Sequence, residues 1–493
     1  MQISKSDYML YLRHPAWLWL KKHEPKKLPQ IDAATQAIFD TGHLFEPYAE
    51  SLYPGGVTLG FTDYPSYKTL PERTSQALES GVTTIFQGRF EFNELTFICD
   101  IIQVVGDRQL DLIEIKSSTG ANKDHEYDLA FQQYVLEGCG YQVRSISVIH
   151  VNNKYVRSGE IDARQLTAVT DITDKVRARA EETAENVQQA LIVAKLDSCP
   201  DMSPSLAKMG SFPDWVKVYS AVNNIEPFSI YDIQSIGVKK AGLLEEMGVS
   251  RIVDIPDDFV LNAKQTLQVK ATKLGQPIIQ KDKIKDWLDG LSYPLYFLDY
   301  ETMSSLVPYF DGMQPYKQYP FQYSLHVIES PGSEIIHLEY LHTDNSNPME
   351  ALSKSLQANI GNKGSVITWN MGFEKSCNTT MGEQVPEFSE FYSSLNDRIV
   401  DLMIPFSSGW YADKGFKGSA SIKAVLPVLV PELSYKELDI QEGASAQRTW
   451  METILDGKNE ADRQKIIEDL IKYCKLDTLA MVEIYKKLIR TAE

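Results

Sequence analysis

The stretch YPLYFLDYET (residues 293–302) ends an apolar and aromatic run with two carboxylates, Asp299 and Glu301, one residue apart. In a strand, residues i and i+2 point to the same face. The two acids therefore project together, while Leu298 and Tyr300 face the other way. Two close anions repel, and one of them takes up a proton unless a cation lies between them. A divalent metal removes that cost, and carboxylate oxygens are the donors Mg²⁺ and Mn²⁺ prefer. Standing alone, a D-x-E of this kind reads first as an exposed strand end.

Residues downstream alter that reading. SVITWNMGFEKS (365–376) is a β-like run ending at Asn370, with Phe373 and Glu374 following where a helix begins. RIVDLM (398–403) brings Asp401 after another apolar run, a spare carboxylate whose simplest role is a structural cap. GSASIKAVLPVL (418–429), which holds Lys423, reads as a helix entered through Ser. YCKLDTLAMVEIY places Tyr473 and Asp477 four apart, on one helix face. Asp477 also interrupts an apolar face, where an unpaired carboxylate is expensive.

In order and type these residues resemble the RNase H-like DEDD family of 3′–5′ exonucleases (DnaQ-type), over roughly 180 residues. Asp299 and Glu301 match the family's strand D-x-E, Glu374 the acid after its N-x-x-F turn, and Asp477 with Tyr473 its late Y-x-x-x-D helix. The resemblance implies two divalent ions about 4 Å apart, one activating water and one stabilising the leaving 3′-oxygen. It gives Tyr473 the role of orienting the attacking water, and Asn370 and Lys423 the role of nucleic-acid contacts. The family's third acid is usually Asp, so Glu374 is a departure.

A second set of acids lies near the N-terminus. ICDIIQVVGDRQLDLIEIKSS reads strand–turn–strand, with Asp100 on the first strand and Glu114 and Lys116 on one face of the second. An acid and an ammonium pointing inward bind a metal and polarise a phosphate or water, respectively. E-x-K alone reads as a salt bridge between adjacent strands. Preceded by Asp100, it resembles the PD-(D/E)xK nuclease superfamily. FDTGHLFEPYAESLYPGG sets His43 on a helix beside Glu46, and DHEYDLAFQQYVLEGCGY sets Gln132 and Tyr134 on another. Both flanks resemble the RecB-type branch, over about residues 1–200.

By that resemblance His43 joins Asp100 and Glu114 as a metal ligand, Lys116 stabilises developing charge, and Gln132 and Tyr134 contact DNA. A lone His such as His43 otherwise reads as structural, and the Gln-to-Tyr spacing departs from the branch. Many members hold an iron–sulfur cluster through one early and three late cysteines. Here the early position, in YLRHPAWLWL, carries His14; the late segment offers only Cys199, and SFPDW (211–215) has no Cys. A cluster needs about four soft ligands, so none is expected.

The elements that must position these residues fall into three regions. Residues 1–199 mix short β-rich segments with helices, the last of them TDKVRARAEETAENVQQALIVAKL (173–196), patterned as one helix. Residues 200–290 read as small helices with Gly at their ends. There LLEEMGVSRIVDIP is similar to a helix–hairpin–helix unit, with a plain linker domain the slightly favoured alternative. Residues 291–493 alternate β-like runs with helices, which argues for α/β layering. The fold expected is multidomain α/β: a PD-(D/E)xK restriction-endonuclease-like core, a small helical middle and an RNase H-like C-terminal domain. The whole resembles a prokaryotic family of fused nucleases.

Composition bounds the rest. The 493 residues suffice for two or three domains, with 43% hydrophobic and 24% charged residues. No stretch approaches the roughly 20 apolar residues that cross a bilayer, and the N-terminus has no secretory h-region. Five scattered cysteines fit a reducing cytosol, so a cytoplasmic location is expected. A net charge of −18 argues against a simple basic nucleic-acid binder, although metal cations at an acidic site offset it locally. The expectation is a Mg²⁺- or Mn²⁺-dependent nuclease with two active sites, acting on DNA, with RNA also open. A role in DNA repair or defence rests on family likeness alone. The competing readings are a nucleic-acid-binding adaptor with one or both sites inactive, and a metal phosphoesterase for small molecules.

Overall fold

The computed structural model describes residues 1–30 and 33–493. The protein is a multidomain mixed α/β chain of two compact units. The first comprises Met1–Glu226, Gly237–Met247 and Leu306–Tyr316; the second comprises Pro227–Ile236, Gly248–Ser305 and Lys317–Glu493. Residues 200–290 thus contribute to both. No helix among the described residues is long and apolar enough to cross a membrane.

The first unit is built on a six-stranded mixed sheet. Its spatial order is Val57–Thr58, Thr84–Phe86, Ile101–Gly106, Gln109–Lys116, Gln142–Val151 and Thr167–Asp171. Strand Gln109–Lys116 lies inside it, antiparallel to Ile101–Gly106 and parallel to Gln142–Val151. Both its faces are covered, so its apolar residues split between two cores. Leu110 and Leu112 join Leu129, Phe131 and Val135 of helix Lys123–Gly138, while Ile113 and Ile115 join Phe45 and Ala49. Fully burying a Leu, Ile, Val or Phe side chain in these cores stabilises the fold by about 1.5–3 kcal/mol. Glu114 and Lys116 share the face of Leu110 and Leu112, so they look toward helix Lys123–Gly138.

Two elements depart from the sequence pattern. Asp100 is not on a strand; it lies at a bend after Leu95–Ile98, where the chain leaves a separate three-stranded sheet and enters the six-stranded one. The 173–196 stretch is not one helix but two, Thr173–Arg177 and Ala180–Val193. The break falls at Arg179, whose guanidinium holds Glu126 at 2.5 Å and lies 4.0 Å from the Tyr127 ring centre. Those tertiary contacts override the helical pattern. His14 caps helix Pro15–His23 and stacks on Trp215 with ring centres 4.0 Å apart.

The second unit carries a five-stranded sheet in the order Ile335–Leu341, Tyr319–Ile328, Leu295–Met303, Ser365–Thr368 and Ile399–Asp401. Leu295–Met303 is central, antiparallel to Tyr319–Ile328 and parallel to Ser365–Thr368. The thirty-residue helix Arg463–Ala492 packs on one face of this strand, where Phe297 meets Tyr485 with ring centres 5.5 Å apart. On the opposite face the Tyr300 hydroxyl donates to Asn378 Oδ1 at 2.7 Å, in helix Met371–Gln384.

Candidate metal centre

Asp299 and Glu301 sit inside the central strand of the second unit, opposite Ser324 and Gln322 of the neighbouring strand. The exposed-strand-end reading of the D-x-E therefore fails. The pairing register shifts just after Glu301, which loosens the ladder beside the acids. Helix Arg463–Ala492 crosses the same face and brings Tyr473, Cys474 and Asp477 to it. Ligand atoms of Asp299, Glu301 and Cys474 all lie within 4.8 Å of one another. Cys474 Sγ is 4.0 Å from Asp299 Oδ2.

Around this group the Tyr435 hydroxyl donates to Asp477 Oδ1 at 2.6 Å. The Tyr435 and Tyr473 ring centres are 6.1 Å apart. Lys423 Nζ lies 5.5 and 5.8 Å from the two ring centres and donates to the Gln441 carbonyl at 2.7 Å. At Gly443 a Cβ would stand 3.6 Å from Glu301 Oε2 and 4.0 Å from the Tyr473 hydroxyl, so the backbone passes close to both.

Glu374 belongs to the first turn of helix Met371–Gln384 and is 1% exposed. Its Oε2 has no hydrogen-bond partner among the described residues. The helix is entered through Asn370, whose backbone is left-handed with φ of 70°. Asn370 is itself exposed. Asp401 fixes this entry, since its Oδ1 accepts from the Asn370 N–H at 3.0 Å and the Met403 N–H at 2.9 Å. Asp401 is thus a structural cap.

Burial, followed by repulsion from Asp477, Glu301 and Glu374, holds the Asp299 carboxyl well above the usual range. Burial and Asp477 do the same to Glu301, against a downward pull from Lys423. Burial lifts Asp477 to about 6, with the Tyr435 hydrogen bond and Lys423 opposing it. Glu374 is lifted to about 8, by burial and by Asp401. Burial beside Asp477 and Glu301 also raises Tyr473, which keeps its proton.

Acids in this state ionise together only with a cation among them. The donors are hard carboxylate oxygens with one thiol, and Glu374 Oε2 has no partner of its own. The residues present fit a divalent metal. Asp299, Glu301 and Cys474 form the one such close ligand group among the described residues, with Asp477 and Glu374 near enough to act on Asp299 electrostatically.

The first unit's residues converge differently. Glu114, 1% exposed, accepts from Lys5 Nζ at 2.7 Å and Lys116 Nζ at 2.6 Å on Oε1, and from Gln132 Nε2 at 2.8 Å on Oε2. Asp128, one turn before Gln132, accepts from Gln132 at 3.0 Å and from Lys116 at 3.3 Å. Asp100 Oδ2 accepts from the Ile115 N–H at 2.7 Å. Burial and the Glu114 charge raise Asp100 to about 7; for Glu114, Lys116 and Lys5 outweigh burial and hold the carboxyl below its ordinary value.

His43 and Tyr134 stand apart from this network. His43 is exposed, with Nδ1 3.1 Å from Glu46 Oε1. Tyr134 packs against the apolar core, edge-on to Phe92 at 6.5 Å. Glu114 and Asp128 in this arrangement offer a metal no oxygen free of an ammonium or amide partner.

Four residues escaped the sequence reading. Asp128 had a signal, since it precedes Gln132 by one helical turn. Cys474 lies next to Tyr473 and three residues before Asp477. Lys5 and Tyr435 had none, being 109 and 42 residues from the acids they bind.

Comparison with known proteins adds partial likenesses. A family model described as "Domain of unknown function (DUF2779)" matches residues 296–421. That span contains Asp299, Glu301, Asn370, Glu374 and Asp401 and stops before Lys423, Tyr473 and Asp477. "Uncharacterized protein MG366" of Mycoplasma genitalium is 27% identical over 225 residues, covering 41% of this chain and 33% of that protein. "Uncharacterized protein MG366 homolog" of Mycoplasma pneumoniae is 26% identical over 220 residues, with the same coverage. The chain spans about a third of the length of these curated relatives.

Proposed function

We propose that the protein is a divalent-metal-dependent nuclease whose second unit removes nucleotides from the 3′ ends of DNA, as the RNase H-like DEDD exonucleases do. The observation that carries this reading is the meeting of Asp299 and Glu301 with Cys474 and Asp477 where the long helix crosses the central strand; burial raises all three carboxyls, and repulsion within the set adds to it at Asp299 and Glu301. A buried cluster of this kind has no use in a plain scaffold, where apolar residues fill the same space without the electrostatic cost. Asp299, Glu301 and Asp477 are the ligands, with Glu374 beside Asp299. A bound divalent ion supplies polarisation of the phosphoryl oxygen and an activated water at neutral pH.

The chain's own groups do the rest. Tyr473, protonated and close to Glu301 across Gly443, donates to the attacking water and orients it. Tyr435 holds Asp477 in its charged form. Lys423, exposed above the two tyrosine rings, draws in the phosphate backbone. Asn370, exposed at the helix entry, contacts the strand.

For the first unit we propose a RecB-type PD-(D/E)xK fold, with Asp100, Glu114 and Lys116 as the matching residues. The lysines already seated on Glu114 favour a unit that binds nucleic acid without cutting it.

The test is a gel assay with Mn²⁺ on 5′- and 3′-labelled single- and double-stranded DNA, with RNA beside it. Loss of the 3′ label one nucleotide at a time, abolished by Asp299→Asn and unchanged by Glu114→Gln, is expected. Binding without turnover in the wild type rejects the nuclease reading in favour of an adaptor.

A further inference from the structure

We propose that the Lys5 ammonium is the built-in counter-cation of the first unit's acid site, standing on Glu114 where the PD-(D/E)xK likeness puts a divalent metal. The inference rests on the proposed reading of that unit and says which cation the site uses.

Lys5 is held in place by two ordered elements. Strand Ile3–Ser4 pairs in parallel with Leu95–Thr96, on the strand that leads to Asp100. Ser4 then caps helix Lys5–Arg13: its hydroxyl accepts from the Asp7 N–H at 3.2 Å, and Asp7 Oδ2 accepts from the Ser4 N–H at 2.9 Å. Lys5 is the first residue of that helix, so its side chain starts from a fixed point and ends on Glu114 at 2.7 Å. It shares Oε1 with Lys116, and Asp128 is 3.9 Å from Lys5 and 3.3 Å from Lys116.

The charge balance of the two units differs in consequence. In the first, Asp100, Glu114 and Asp128 face two ammonium groups, and the amide of Gln132 takes the remaining Glu114 oxygen. In the second, Lys423 offsets Glu301 and Asp477 from a distance, its Nζ donating to the Gln441 carbonyl. A divalent ion entering the first site meets two positive charges within a few ångströms of its ligand and must expel one of them. Lys5 lines an open cleft of about 520 Å³ together with Lys116 and Asp128, two of the residues it meets at the site.

The test uses the full chain carrying Asp299→Asn and Glu301→Gln, which removes the second unit's donors, and reads bound Mn²⁺ by electron paramagnetic resonance. This parent is expected to hold no Mn²⁺. Adding Lys5→Met is expected to create one Mn²⁺ site per chain, and adding Asp100→Asn to abolish it again. The inference is overturned if the parent already holds Mn²⁺ that Asp100→Asn or Glu114→Gln removes, or if a folded Lys5→Met chain gains none. Where Lys5→Met does not fold, the parent decides: uptake sensitive to Asp100→Asn overturns the inference, and no uptake supports it. Wild type against parent separates this from the nuclease reading, because a wild type without Mn²⁺ defeats that reading and leaves the Lys5→Met gain to stand or fall alone.

Discussion

The Tyr435 hydroxyl donates a 2.6 Å hydrogen bond to Asp477 Oδ1, joining a short helical turn to the long C-terminal helix across 42 residues of chain. A hydrogen bond to a charged acceptor favours the ionised form, and this one opposes the upward push of burial on Asp477. Tyr435→Phe removes it. We expect the Asp477 carboxyl to rise above its value of about 6 and Mn²⁺ affinity at pH 7 to fall by roughly 10–100-fold. Calorimetric titration at pH 7 and pH 8.5 checks this, with part of the loss recovered at the higher pH.

Stability without metal follows from the same acids. Asp477 and Glu374 hold protons in the folded chain up to about pH 6 and about pH 8, where the unfolded chain has already released them near pH 4. Their contribution is therefore full below about pH 4 and is lost as pH rises through those two values, at about 1.4 kcal/mol per group per pH unit within its window. Thermal unfolding in EDTA should show Tm falling between about pH 4 and pH 8. Saturating Mn²⁺ should flatten the fall, because binding to the folded state adds stability as the acids ionise.

Tyr473→Phe separates binding from chemistry. The ring remains in its packed position and the carboxylates are untouched, so Mn²⁺ affinity should stay within about twofold. Loss of the donor to the attacking water should lower kcat on the order of a hundredfold. A matched pair of Mn²⁺ titration and single-turnover kinetics reads both quantities, and a large loss of metal affinity would show that the hydroxyl supports the ligands instead.

Glu114→Ala leaves two ammonium groups clustered around Asp128 with their main acceptor gone. Breaking a buried ion pair from one side costs about 3–5 kcal/mol. Lys5 and Lys116 keep 24% and 27% of their side chains exposed, so the lower end, roughly 3 kcal/mol, is expected. Urea unfolding of Glu114→Ala, Lys5→Met and the double variant measures it. The double variant should lose less than the sum, since the partners share one contact.

The pairing of Asp299 with Glu301, the helix face shared by Tyr473 and Asp477, and the E-x-K strand were legible because each depends on a local period of two or about four. The mixed α/β character followed from the alternation of apolar runs with helical patterns. What was not legible depends on contacts far apart in sequence. Lys5 reaches Glu114 because Ser4 caps a helix beside a strand that pairs with residues near Asp100, and no local pattern carries that. The break at Arg179 is likewise set by Glu126 and Tyr127 on another helix. The order of residues in the chain suggests His43 as a ligand, whereas its side chain is exposed and paired to Glu46.

On the proposed reading, Asp299, Glu301 and Asp477 converge on the central strand of the second unit to hold a divalent cation. Calorimetric titration of Mn²⁺ into the wild-type chain and into Asp299→Asn at pH 7.5 tests it most directly. Saturable binding to the wild type with proton release is expected, and its loss in Asp299→Asn with folding intact by circular dichroism. Equal binding by the two chains, or none by the wild type, would contradict it.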